Sequence, residues 1–212
     1  MSRLKICGLK RPEDIDYVNE HLPDYIGFVF AKSARQVTDG QALELKKRLE
    51  PGILSVGVFV NGEMDRIVSL LEAGIIDLIQ LHGQESIGYV KRLQKETGRL
   101  RTKERGRIIK AIRVLTLEDV EKGLDYPADY LLFDTYKKGQ YGGSGECFDW
   151  QLLKGIDRPF FLAGGLKAEN IENALEMVNP YCLDLSSGVE TAGVKDAKKI
   201  KNVVEKVRNR VC

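Results

Sequence analysis

Two apolar runs late in the chain, 160-FFLAGG-165 and 182-CLDLSSG-188, decide the fold. Each run of strand-forming residues breaks into glycines or serines, which leave backbone N–H groups uncovered. A helix that begins just after such residues adds its positive end at the same point, as an anion requires. One helix and one strand fit between the two runs, which is the spacing of adjacent units in a (β/α)₈ barrel. The predicted phosphate cradle consists of Gly164, Gly165, Ser186, Ser187 and Gly188.

Short runs rich in Ile, Val, Leu and Phe recur along the whole chain and predict eight strands. Segments with helical apolar spacing lie between them, the last over 197–211. Nearly continuous apolar strands are typical of a parallel sheet covered on its outer face, and the repeated alternation favours closure into a barrel. Residues 1–212 are therefore predicted to form a single α/β domain, a (β/α)₈ TIM barrel. The predicted strands are Leu4–Cys7, Tyr25–Phe30, Leu54–Val60, Leu78–Leu81, Ile108–Val114, Tyr130–Phe133, Phe160–Leu162 and Cys182–Leu185.

The rival architecture is an open, doubly wound parallel sheet. Such a sheet normally carries a glycine fingerprint directly after its first strand. The segment from Cys7 to Pro12 reads CGLKRP, which lacks GxGxxG, and GxxxxGK[ST] is absent from the whole sequence. These absences favour the closed barrel.

Composition narrows the classes of partner. Thirty-three basic and 31 acidic residues leave a formal charge of +2, which indicates no basic stripe for nucleic acid. The polar start MSRLKICG is unlike a signal peptide, and no apolar run is long enough to span a bilayer, so we expect a cytoplasmic protein without a membrane partner. The four cysteines form no CxxC pair and the two histidines lie outside metal-binding spacings, so we expect reduced thiols and no metal site.

Two segments interrupt the regular alternation. Arg99 to Arg107 is a basic insertion before the fifth strand, on the barrel face opposite the expected site. We predict a solvated loop there, with RNA or an acidic partner as the alternative. Lys137 to Phe148 is a glycine-rich loop after the sixth strand. Its composition is typical either of a mobile cover over an active site or of an ordinary flexible loop.

Catalytic residues of such barrels lie where strands end, which leaves few candidates. Cys7 is a possible general base if nearby positive charge lowers the pKa of its thiol, and otherwise a small buried hydrophobe. Asp134 is either a general acid or a carboxylate satisfied by loop N–H groups. Arg35 could bind a substrate carboxylate or lie at the surface. His82 and its neighbour Gln80 could bind substrate, and His82 could instead cap the fourth helix.

Lys5 and Asp184 lie two residues before Cys7 and Ser186, on inward-facing positions of strands one and eight. The first and last strands are neighbours in a closed barrel. We therefore predict a Lys5–Asp184 ion pair beneath the site. A Schiff-base role for Lys5 is the alternative, although the carboxylate would keep the amine protonated.

The strings KICG, FVF-KS-R, VGVFVN, QLHG, LLFDT, YGGSG-FDW, AGGL-NI and DLSSGVE follow one another in this order across nearly the whole chain. Together they resemble the phosphoribosylanthranilate isomerase family of tryptophan biosynthesis. The resemblance implies a (β/α)₈ fold and an Amadori rearrangement of N-(5-phosphoribosyl)anthranilate, without metal or cofactor. It implies a small phosphoribosyl compound as the partner, and it leaves monomer and homodimer open.

By the same resemblance, Asp134 is the general acid that opens the ribose ring and Cys7 is the general base that removes the proton from C2. Arg35 holds the anthranilate carboxylate. Gln80 and His82 line the pocket, and Asp184 supports or contacts the substrate nitrogen. The residues of the predicted cradle bind the phosphate.

Small departures and two rivals accompany the resemblance. Ala34 stands where the family has proline, and TAGVKD replaces a proline-containing turn after SSGVE. The nearest rival is the histidine-pathway ribose-phosphate isomerase, which uses two aspartates and two phosphate sites, whereas this chain has Cys7 and one cradle. The rival from another class is a non-catalytic sugar-phosphate sensor that uses Cys7 for redox signalling.

Overall fold

An aspartate stands directly before three of the four even-numbered strands of the barrel. In the computed structural model, which describes residues 2–135 and 148–209, Asp24, Asp77 and Asp129 each precede an even-numbered strand. Each carboxylate accepts a hydrogen bond from the backbone N–H of a residue at or near the start of the preceding strand, namely from Leu4, Ser55 and Ile108 at 2.8–2.9 Å. The repeat satisfies polar groups that would otherwise be buried unpaired at strand ends.

Eight parallel strands close into a barrel in sequence order, with the first strand paired to the eighth. The strands predicted from the sequence are confirmed, with ends that shift by at most two residues. Both faces are covered, the inner one by side chains and the outer one by helices, as a parallel sheet requires. The strands are β1 Arg3–Cys7, β2 Tyr25–Val29, β3 Leu54–Phe59, β4 Leu78–Leu81, β5 Ile108–Val114, β6 Tyr130–Thr135, β7 Phe160–Leu162 and β8 Cys182–Leu185.

Seven α-helices of the described residues lie outside the barrel. Several begin at side chains that accept from the first-turn N–H groups, such as Thr38 before α2 and Asp196 before α7. Between β6 and β7 the described residues include a short 3₁₀-helix, Trp150–Leu153. None of these helices is long and apolar enough to cross a bilayer. The helices are α1 Pro12–His21, α2 Asp39–Arg48, α3 Met64–Glu72, α4 Ile87–Thr97, α5 Leu117–Leu124, α6 Ile171–Val178 and α7 Ala197–Arg208.

A two-stranded hairpin lies between β8 and α7. Strands β9 Glu190–Thr191 and β10 Val194–Lys195 pair antiparallel, so that Glu190 stands opposite Lys195. The connecting residues Ala192 and Gly193 both have positive φ, at 50° and 77°, which is the requirement of a two-residue type I′ turn. The hairpin brings a carboxylate and an ammonium together beside the barrel mouth.

The start of the strands is sealed by a group that we call the floor: Arg3, Tyr25, Tyr130, Tyr181 and Asp129. The Tyr25 and Tyr181 hydroxyls lie 3.1 Å apart, and the Arg3 guanidinium donates to the Tyr25 hydroxyl at 2.6 Å. Tyr130 stacks on Tyr181 with ring centroids 4.9 Å apart. The floor thus fills one end of the barrel and leaves the other end for chemistry.

The basic insertion before β5 lies on the floor side and is largely a solvent-exposed loop, as predicted, but its arginines also have partners within the chain. Arg101 and Arg107 both contact the Asp129 carboxylate, and Arg99 contacts Glu72. Arg105 donates to the Leu71 carbonyl. Acceptors within the chain thus engage all four arginines, while the Arg99 side chain stays 72% exposed. Binding of RNA or of an acidic partner stays the alternative prediction.

Candidate active site

A cavity of about 570 Å³ opens at the C-terminal ends of the strands. Most residues singled out from the sequence lie on its wall, although they come from six different strands or the loops that follow them. On the cavity wall are Cys7, Arg35, Gln80, His82, Asp134, Gly164, Gly165, Asp184, Ser186 and Ser187. Gly188 is the one predicted site residue that does not line the cavity. Of the glycine-rich loop after β6, residues 137–147 lie outside the described part of the chain, so its role as a cover stays a prediction.

The Cys7 thiol ends β1 and faces the cavity from a tightly packed position. A side chain at Gly27 on the neighbouring strand would bring its Cβ within 2.6 Å of the Cys7 Sγ, so glycine there leaves room for the thiol. Burial raises the pKa of Cys7, while the charges of Lys5 and Lys195 act in the opposite direction. The lowered thiol pKa considered from the sequence is not found. The pKa of Cys7 is raised, because the effect of burial exceeds the lowering effect of the two ammonium groups.

Asp134 lies across the cavity, one residue from the end of β6. Its Oδ1 accepts from the N–H of Thr135, the last residue of β6, at 2.8 Å, so one oxygen is satisfied by a strand N–H and not by a loop N–H. The other oxygen lies 3.2 Å from Nε2 of His82. His82 in turn contacts Gln80 through Nδ1 at 3.0 Å. His82 does not cap α4, because Ser86 is the N-cap of that helix.

Two buried side-chain atoms around this group lack hydrogen-bond partners in the described chain. They are Oε1 of Gln80 and Oδ1 of Asp184, and Nε2 of His82 is not aligned for a hydrogen bond despite its closeness to Asp134. A buried polar atom without a partner is costly unless a ligand supplies one. These atoms line the same cavity, which marks it as a polar binding site.

Lys5 and Asp184 form the predicted ion pair below the site. Lys5 Nζ lies 2.7 Å from Asp184 Oδ2, and the two residues are register partners on β1 and β8. The carboxylate raises the pKa of Lys5 against the opposing effect of burial. A protonated amine cannot attack a carbonyl, so the Schiff-base alternative is disfavoured. The pair anchors Asp184 with one oxygen and leaves the other on the cavity wall.

The two small-residue segments after β7 and β8 meet, as predicted. A Cβ at Gly188 would come within 1.9 Å of the Leu166 carbonyl oxygen, so only glycine permits this approach. Gly164 and Gly165 adopt positive φ, at 84° and 67°. The expectation of a helix directly after each segment is only partly met. A one-turn 3₁₀-helix, Ser187–Val189, begins within the second segment, whereas α6 begins six residues beyond Gly165.

Arg35 is the predicted site residue whose surroundings differ most from expectation. Its Nε and Nη2 donate to the two oxygens of Glu190 at 2.8 and 2.7 Å. Burial acts to raise the pKa of Glu190, but Arg35 and Lys195 outweigh it and lower that pKa to about 2. Arg35 is therefore neither a free surface residue nor an unpaired cation, because Glu190 already binds one side of its guanidinium.

Sequence reasoning missed four charged residues that support the site: Glu85, Lys110, Glu190 and Lys195. Lys110 Nζ binds Glu85 at 3.0 Å, and Glu85 accepts from the Asn61 N–H at 2.8 Å. This buried pair ties the loops after β3 and β4 together. Its members are far apart in sequence and give no local signal. Between Glu190 and Lys195 the one turn signal is Gly193, because Ala192-Gly193 is not among the favoured type I′ pairs such as Asn-Gly.

Comparison with known proteins identifies the relatives of this barrel. The family model for N-(5'phosphoribosyl)anthranilate (PRA) isomerase matches residues 4–206. The N-(5'-phosphoribosyl)anthranilate isomerase of Endomicrobium trichonymphae is 49% identical over 209 residues, which cover 99% of this chain and 100% of the relative. That of Thermoanaerobacter sp. is 45% identical and covers 98% of both chains.

Solved structures agree with the sequence relatives. The phosphoribosyl anthranilate isomerase of Thermotoga maritima superposes with a TM-score of 0.86 at 34% identity, covering 99% of this chain and 100% of that one. A structure of phosphoribosyl anthranilate isomerase in complex with reduced 1-(o-carboxyphenylamino)-1-deoxyribulose 5-phosphate superposes with a TM-score of 0.83 at 33% identity and equal coverage. The similarity thus extends over the whole barrel, including every strand that borders the cavity.

Proposed function

The chain belongs to the phosphoribosylanthranilate isomerase family, and we propose how its own residues carry out that reaction. The protein is an isomerase of tryptophan biosynthesis that converts N-(5-phosphoribosyl)anthranilate into 1-(2-carboxyphenylamino)-1-deoxyribulose 5-phosphate. The observation that carries the assignment of roles is that the Cys7 thiol and the Asp134 carboxyl line one cavity, whose wall also includes the glycine and serine segments.

Asp134 acts first, as the general acid. Its proton passes to the ribose ring oxygen, the bond from that oxygen to C1 breaks, and a protonated imine forms between C1 and the anthranilate nitrogen. His82 lies 3.2 Å from the carboxylate and lines the same cavity. It stabilises the negative charge that Asp134 acquires when the proton leaves.

Cys7 acts second, as the general base. Its thiolate removes the proton from C2, and the electron pair moves into the C1–C2 bond while the imine becomes an amine. The enolamine that results then tautomerises to the ketone, which returns a proton to C1. Because the protonated imine accepts the electrons, no further electron sink is required. The raised pKa of Cys7 makes the thiolate scarce at neutral pH and a stronger base once formed.

The remaining residues hold the substrate. The segments Gly164-Gly165 and Ser186-Ser187, with Gly188 behind them, take the phosphate through backbone N–H groups, and Arg35 takes the anthranilate carboxylate. Val29, Phe30 and Val58 form an apolar stretch of wall beside Arg35 that suits an aromatic ring. Gln80 and the unpaired oxygen of Asp184 face the middle of the substrate, where its nitrogen and hydroxyls lie.

The assignment is tested by giving the purified protein two substrates. We expect turnover of N-(5-phosphoribosyl)anthranilate and none of the histidine-pathway compound with two phosphates, because residues 2–135 and 148–209 contain one small-residue cradle, after β7 and β8. Turnover of the two-phosphate compound alone would contradict the proposal. We further infer a cytoplasmic enzyme, since the substrate is a soluble biosynthetic intermediate. Monomer and homodimer stay alternative predictions that analytical ultracentrifugation distinguishes.

A further inference from the structure

Arg35 uses one edge of its guanidinium for a partner within the chain. Nε and Nη2 form that edge, and both donate to the carboxylate of Glu190. The opposite edge, formed by Nη1 and the second hydrogen of Nη2, donates to no other described residue. A guanidinium is planar and rigid, so a carboxylate that binds one edge also fixes the direction of the other.

Glu190 has a second ionic partner besides Arg35, the ammonium group of Lys195. Lys195 Nζ binds Oε1 of Glu190 at 2.6 Å and donates to the Ser186 carbonyl at 3.0 Å. Neither Glu190 nor Lys195 lines the cavity, whereas Arg35 does. The hairpin of β9 and β10 thus supplies two buried side chains that support Arg35, and the Arg35 guanidinium reaches the cavity.

Gly8 fixes the path of the Arg35 side chain. A Cβ at Gly8 would come within 2.5 Å of the Arg35 Cδ, so the stem passes directly over the glycine backbone. Gly8 also has φ of 85°, a conformation that glycine adopts without strain. The stem is therefore constrained on one side by Gly8 and its head on the other by Glu190.

We propose that Glu190 is the positioning residue for Arg35, and that it turns the Nη1–Nη2 edge of the guanidinium toward the carboxylate of the substrate. Lys195 compensates the charge of Glu190, so the three side chains together carry one net positive charge for one carboxylate. This inference rests on the proposed function, because it assumes that Arg35 receives the anthranilate carboxylate. The competing explanation is that Glu190 merely fastens the hairpin.

The test compares the affinity of two ligands. One is the reduced product analogue, reduced 1-(o-carboxyphenylamino)-1-deoxyribulose 5-phosphate, and the other is the same compound without the ring carboxylate. In the unaltered protein we expect the carboxylate to tighten binding by about tenfold or more, as a charge-assisted pair of hydrogen bonds does. In Glu190→Gln we expect this ratio to fall toward one, with the affinity of the carboxylate-free compound unchanged.

Lys199→Met is the matched control. Lys199 Nζ binds the backbone carbonyl of Glu190 at 2.6 Å, so this change loosens the hairpin without touching the Glu190 carboxylate. We expect the affinity ratio of Lys199→Met to equal that of the unaltered protein. If Glu190 only fastens the hairpin, Glu190→Gln and Lys199→Met will weaken both ligands alike, and the proposal is wrong.

Failure of the proposed function has a different signature, since the unaltered protein would then bind neither ligand. A ratio near one in the unaltered protein would instead refute the carboxylate role of Arg35 and with it this inference. A crystal structure of the unaltered protein with the product analogue gives the answer even where Glu190→Gln does not fold. We expect Arg35 to contact both carboxylates at once. An Arg35 that leaves Glu190 to reach the ligand would overturn the proposal.

Discussion

The two ends of the barrel both bury charged side chains, but they satisfy them to different extents. At the floor side, Asp77 accepts from Ser55 and Lys46, and Asp129 accepts from the Ile108 N–H and from two arginines. No carboxylate oxygen there is buried without a partner in the described chain, although Nε of Arg105 is. At the cavity end, Gln80 and Asp184 each keep a buried oxygen without a partner in the described chain. The floor side therefore serves stability, whereas the cavity end keeps buried oxygens that can bind a ligand.

The largest effect is expected from removing the proposed acid or base at the cavity end. Cys7→Ser and Asp134→Asn should each lower kcat by on the order of 10² or more, given the usual contribution of general acid–base catalysis. Both variants keep the size of the side chain, so the thermal midpoint should change little. Steady-state kinetics and thermal denaturation check the two parts. A variant with near-normal kcat would remove that residue from the mechanism.

Arg35→Ala should act on binding more than on chemistry. The variant loses the group that receives the substrate carboxylate, so we expect KM to rise about 30-fold while kcat changes much less. Lys199→Met, which alters an exposed contact of the same hairpin, serves as the control and should leave KM near its original value. An unchanged KM in Arg35→Ala would contradict the carboxylate role.

At the floor, the same kind of substitution should affect stability alone. Asp129→Asn leaves the partners of the carboxylate, the Ile108 N–H and the guanidinium groups of Arg101 and Arg107, with a weaker acceptor. We expect the free energy of unfolding to fall by about 1.5 kcal/mol, with kcat and KM unchanged. Urea denaturation measures the first and steady-state kinetics the second. A large loss of kcat would show that the two ends are not separable.

The effect confined to the narrowest conditions, those below pH 4.5, is a pH dependence of stability from Glu190. Its pKa is about 2 in the folded protein, against an ordinary value of 4.5. A lowered pKa means that the contribution to stability is complete above pH 4.5 and is lost as the pH falls toward 2. Between these values the unfolding free energy of Glu190→Gln should fall less steeply than that of the unaltered protein. Parallel slopes would show that Glu190 is not stabilised as its charged form.

Much of the fold could be predicted because its signals are local. Apolar runs mark strands, and glycine or serine after a run marks the cradle, as at Gly164-Gly165. The Lys5–Asp184 pair followed from strand period and barrel closure together. The site candidates followed from their position at strand ends, but their roles rest on the family resemblance and stay proposals.

The parts that could not be predicted depend on pairing between distant residues. The insertion before β5 is rich in basic residues, whereas its acidic partners Glu72 and Asp129 lie about 30 positions away along the chain. The same holds for Arg35, whose partner Glu190 is 155 positions away. The pKa of Cys7 is raised by burial and lowered by the charges of Lys5 and Lys195. How deeply the thiol is buried depends on the folded packing around it, which the sequence near Cys7 does not reveal.

The central claim is that Asp134 serves ring opening and Cys7 serves proton removal at C2 within one cavity. The most direct test measures kcat of both variants with substrate that carries deuterium at C2. In Cys7→Ser, proton removal becomes the slow step, so we expect a normal primary isotope effect. In Asp134→Asn, ring opening becomes the slow step, and we expect the isotope effect to disappear. An isotope effect in Asp134→Asn with none in Cys7→Ser would contradict the account.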